Sequence, residues 1–198
     1  ERARTMISDS FELSDILGNP ALQALAYHNR GRLEVVDQNL LAAKEWFTKA
    51  AELYSQIRDF ALMTIASSEV AHILRKTGEI PGALEMYKKT ILGFQESGIL
   101  SAVAHQLECF AMIATQEGLP AQAINLVYAA TKIREQTQSL RQPNEQAEID
   151  ELLLGLENSV SENSLNKERT IGNQLTLDDA ISLALSIEAD KQPDRRDY

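Results

Sequence analysis

A constant interval of 40 residues runs through this chain and limits its fold more than any other feature. Gly78 and Gly118 stand 40 residues apart, with Gln38 at the matching place one interval earlier. Four further columns keep the spacing: Gly31, Ala71 and Ala111; Ala43, Ala83 and Ala123; Phe47, Tyr87 and Val127; Ala50, Thr90 and Ala130. The breaks between copies hold it too, at Gly18, Arg58, Gly98 and Gln138.

Each column has a packing reason. Small residues let two antiparallel helices approach closely. The large residue four places after Ala43, Ala83 or Ala123 lies one turn along the same helix face, where it can fill the space against a neighbour. Glycine ends a helix with positive φ at little cost, and Pro81 and Pro120 sit at helix starts, where a missing N–H does no harm. A fixed period built from two helices is the mark of a stacked helical repeat. The pattern of small, aromatic and small residues resembles the tetratricopeptide repeat, whose period is about 34 residues. The resemblance implies an all-α fold, a tetratricopeptide-like α-α superhelix or solenoid with C-terminal capping helices.

The predicted helices follow in order. Residues 1–17 read as the second helix of a partial copy. Three complete copies then run 21–36 and 40–57, 60–76 and 81–96, and 99–116 and 120–136. Each carries apolar residues at helical spacing, such as Leu62, Ile65, Ala66 and Ile73. This assigns 1–137 to repeats and 138–188 to capping helices. In the latter, 145–160 presents a stripe of Ile149, Leu152, Leu153, Leu156 and Val160, suited to cover the end of the stack. The stretch 161–174 is polar and weakly helical. Thr176 and Asp179 make a capping-box-like start for a short helix through Ile187. The tail 189–198 has no apolar face and reads as disordered. The chain begins at Glu1, without Met, and reads as a fragment of a longer polypeptide.

Composition removes several function classes. The net charge of −10 argues against a nucleic-acid-binding surface. The charge is uneven: residues 138–198 hold 6 Lys/Arg against 13 Asp/Glu. No apolar run approaches the ~20 residues of a membrane span, and no signal peptide is visible. Cys109 is the only cysteine, so an intramolecular disulfide is excluded and a cytoplasmic location is the simplest expectation. No phosphate loop, H-E-x-x-H or C-x-x-C occurs, so no catalytic residue, cofactor or metal ligand is expected.

A second resemblance lies near the end. The segment 126–135, LVYAATKIRE, the Pro143 loop, the amphipathic 145–160 and the LTLDDA run at 175–180 resemble the C-terminal region of large bacterial signalling ATPases and transcriptional regulators. Those join a nucleotide-binding module to helical repeats. Two departures stand out: 163–170 lacks aromatics, and Tyr128 replaces a small residue. The resemblance implies a non-catalytic interaction or sensor module of such a parent, with the nucleotide chemistry elsewhere. A free-standing scaffold or chaperone-like adaptor for peptide tails is the alternative.

In tetratricopeptide-like stacks the first helices line the concave groove. His28, Arg32, Ser68, His72, Arg75, His105, Glu108 and Met112 fall on the expected groove phase of those helices. They suggest a polar, partly basic surface for an acidic or carboxylate-ended protein segment. An ordinary solvated helix face is the competing reading. Trp46, Phe47, Tyr54 and Tyr87 read as filling between helices rather than as a binding cage. The partner is expected to be a protein or peptide, with neither nucleic acid nor membrane engaged; homodimerisation stays open.

Overall fold

A computed structural model describes residues 2–189. Apart from Ala189, the tail read as disordered lies outside the described residues. Those residues form ten consecutive α-helices and no strand: α1 (Arg2–Leu17), α2 (Pro20–Val36), α3 (Leu40–Gln56), α4 (Phe60–Lys76), α5 (Ile80–Glu96), α6 (Leu100–Gln116), α7 (Pro120–Thr137), α8 (Pro143–Ser159), α9 (Glu162–Gln174) and α10 (Leu177–Leu185). None is long and apolar enough to cross a membrane.

The turns explain the period. Gly18, Gln38, Arg58, Gly78, Gly98, Gly118 and Gln138 all have positive φ, between 53° and 82°. The two 40-residue series of the sequence are one 20-residue series of left-handed turns. At the last six, the amide one residue beyond the turn donates to the carbonyl five residues back, as in Asn39 to Glu34 (2.8 Å), Glu79 to Leu74 (2.9 Å) and Ser139 to Arg134 (3.0 Å). This 6→1 bond satisfies a carbonyl that the helix end would otherwise orphan. Three of the seven positions lack glycine, so the turn is imposed there by packing rather than by residue preference.

The chain divides inside α5 into two compact units, one up to Gly93 and one from Phe94. In the first, α2 packs on α1 and α3, and α3 on α4. Ala24, Ala50, Tyr54 and Ala66 form a buried cluster with Tyr27, Ala51, Leu53 and Met63 against it. Two glycines are needed sterically: a Cβ on Gly31 would stand 2.8 Å from the Phe47 ring, and one on Gly93 would stand 2.8 Å from Thr64 Oγ1. Helix α1 half-buries Ile7 and Phe11 and leaves Met6, Leu13, Ile16 and Leu17 exposed.

In the second unit, α6 and α7 pair closely and are buried on most of their surfaces. The apolar stripe of α8 buries only Ile149 and Leu156; Leu152, Leu153 and Val160 stay half-exposed. The polar stretch after it, expected to be weakly helical, forms α9 and packs against α7. Three contacts account for this. Ser161 caps the N-terminus by accepting from the Ser164 amide (3.2 Å). Gly172 lets the backbones close, since a Cβ there would lie 2.6 Å from the Asn125 carbonyl oxygen. Lys132 Nζ donates to the Leu175 carbonyl at the far end (3.0 Å). Helix α10 starts with the expected Thr176–Asp179 capping box and buries Ala180, Ile181 and Ala184.

Candidate functional site

The residues assigned to the groove fall mostly in two repeat columns, and the two behave differently. His28, Ser68 and Glu108 are 40 residues apart and turn inward; Ser68 and Glu108 are buried. Arg32, His72 and Met112 form the second column; Arg32 is exposed, and the other two are half-buried.

In the first unit, α2 directs the His28 ring edgewise at Phe47 (5.2 Å) and towards Tyr54 (6.5 Å) of α3. Its Nδ1 is buried without a hydrogen-bond partner. Burial lowers its pKa and Arg32 adds to that, while Glu69 opposes, so the ring is neutral near pH 7. Ser68 donates back to the Ile65 carbonyl (2.9 Å), the usual fate of a hydroxyl on a helix face. His72 Nδ1 meets Tyr87 Oη of α5 at 2.7 Å. Arg75 is half-buried.

In the second unit, Glu108 is not a groove residue but the centre of a buried charge network. Arg134 of α7 donates Nε and Nη2 to its two oxygens (2.7 and 2.8 Å). Arg141, in the loop before α8, donates Nε to the same carboxylate (2.8 Å), Nη2 to Thr131 (2.9 Å) and Nη1 to Gln146 (3.3 Å). Glu145 of α8 stands 4.0 Å from Arg134 and accepts from the Gln142 amide (3.0 Å). Burial pushes the Glu108 pKa up, but His105, Arg134 and Arg141 outweigh it and bring it down to about 2. Burial likewise works against the Arg134 charge, and Glu108 and Glu145 more than offset that.

His105 lies at the rim, with Nδ1 3.7 Å from Glu108 and 3.8 Å from Glu145. Burial lowers its pKa, yet the Cys109 sulfur 3.9 Å from Nε2 and the two carboxylates raise it well above the usual value. The Cys109 thiol itself is fully buried. The network therefore fixes α6, α7, the loop and α8 to one another, and this compensates for the small apolar contact that α8 makes.

Sequence reasoning missed Arg134, Arg141 and Glu145. One signal was present: Arg134 falls in the column of Tyr54 and Phe94, both buried. A cation in an aromatic column calls for a buried anion, and Glu108 in the His28 column supplies it. No protein-family model matches the chain, and neither a curated protein nor a solved structure does.

Proposed function

We propose that the chain is a non-catalytic protein-interaction or sensor module, built as a tetratricopeptide-like solenoid and belonging to a larger bacterial signalling ATPase or transcriptional regulator. The observation that carries this reading is the 20-residue series of left-handed turns. Its equal steps bring Arg32 and His72 to the same phase of α2 and α4 in the first unit, while the small and aromatic columns there are consumed by packing. Repeats of this kind bind extended segments along such recurring helix faces. The one thiol with a neighbouring imidazole is sealed from solvent, and the carboxylate beside it is committed to two guanidinium groups. Neither is free to act as nucleophile or base.

The test is a titration of the chain with peptides ending in acidic residues and a free carboxylate, followed by calorimetry. The reading expects binding that weakens in Arg32→Ala and Arg75→Ala. Unchanged affinity in both variants rules against the groove.

A further inference from the structure

Three rings, one from each of α1, α2 and α3, form a triangle on the first unit. Phe11 and Trp46 meet edge to face at 5.5 Å, Tyr27 and Trp46 at 5.5 Å, and Phe11 and Tyr27 at 5.6 Å. Phe47, Tyr54 and Tyr87 are buried, but these three rings remain half-exposed. A cavity of about 320 Å³ lies against two of them, lined by Ile7, Ser8, Phe11, Glu12, Arg30 and Trp46.

The charges around this cavity are unequal. Arg30 donates Nη2 to Glu34 at 2.8 Å, and Glu34 is only 9% exposed, so the positive charge is met at one edge from inside the fold, while Arg30 Nε is buried without a partner. Glu12 is exposed and pairs with no cation among the described residues. The indole already engages a cation, Lys49 Nζ at 4.5 Å from the Trp46 ring centroid, which an incoming positive group displaces. An aromatic wall, an apolar side at Ile7 and one uncompensated carboxylate together suit a group with an aliphatic stem and a positive head.

We propose that this cavity receives a lysine or arginine side chain of a partner protein segment, its stem along Ile7 and Phe11 and its charge shared by Trp46 and Glu12. That the partner is a protein rests on the interaction-module reading; the cationic chemistry does not. The net charge of −10 favours the approach of such a segment.

The probes are three Gly/Ser pentapeptides with a central arginine, lysine or glutamine, titrated into the full chain. Backbone amide shifts of Ser8 and Arg30 report binding in every variant, and the indole of Trp46, the only tryptophan, reports it in the parent. The basic peptides should give saturable shifts that the glutamine peptide does not. Glu12→Gln and Trp46→Phe should each weaken them about two- to fivefold. Glu52→Gln, on the exposed side of α3, should leave them unchanged. Equal shifts from the glutamine peptide, equal weakening by Glu52→Gln, or no shift with any peptide overturns the proposal. Basic-peptide binding that survives both cavity variants overturns it while leaving the interaction-module reading standing.

Discussion

Glu108 and Arg134 form a bidentate ion pair at the two repeat positions where, 80 residues earlier, the rings of His28 and Tyr54 meet edge-on. The same place between a first and a second helix is filled once by rings and once by opposite charges. A buried pair of this kind is costly to break from one side, because the surviving charge keeps its burial and loses its partner. Glu108→Gln should therefore lose about 3–5 kcal/mol of unfolding free energy in urea. The double variant Glu108→Leu with Arg134→Leu should lose less than the sum of Glu108→Leu and Arg134→Leu measured singly. A cycle showing strict additivity would contradict the assigned coupling.

The same pair sets an acid limit. The folded-state pKa of Glu108 is about 2, below the ordinary 4.5. Its contribution is thus fully present above pH 4.5 and is lost as pH falls towards 2. The span corresponds to roughly 3 kcal/mol. Urea midpoints measured across that window should fall steeply for the native chain and less so for Glu108→Gln.

Gly172 should tolerate no side chain. The Cβ of alanine there would meet the Asn125 backbone, which cannot swing aside. Gly172→Ala should cost about 1–3 kcal/mol and release α9, seen as faster amide exchange in Glu162–Gln174. A Cβ on Gly155, on α8, would meet nothing within 4 Å. Gly155→Ala should therefore stabilise by about 0.5–1 kcal/mol.

The turns offer a test of opposite sign. Arg58 holds a φ of 61° that its side chain disfavours. Arg58→Gly should raise stability by about 1 kcal/mol, and Gly98→Ala should lower it by a similar amount. Thermal denaturation of the two variants would show midpoints moving in opposite directions.

The hairpins were legible because their determinants are local and repeated. Gly78 and Gly118 announce their turns, Ala43, Ala83 and Ala123 their close approaches, and Thr176 with Asp179 the start of α10. Helix α9 was not legible, since its polar sequence is held by Asn125 and Lys132 from another helix. The charge network was hidden for the same reason: its members come from α6, α7, a loop and α8, with no shared spacing. Helical phase put His28, Ser68 and Glu108 on the expected groove face, but phase says nothing of what stands opposite. For His28 it is a pair of rings, and for Glu108 a guanidinium.

The seven left-handed turns carry one more implication. Because they recur at equal steps, removing a 40-residue block between Gly18 and Arg58 joins one such turn to another and keeps every later side chain on its former face. Removing a single residue inside a helix turns all that follows by about 100°. Evolution of this chain can therefore shorten or lengthen it by whole hairpins far more readily than by single residues, and an engineer can splice it at the same places.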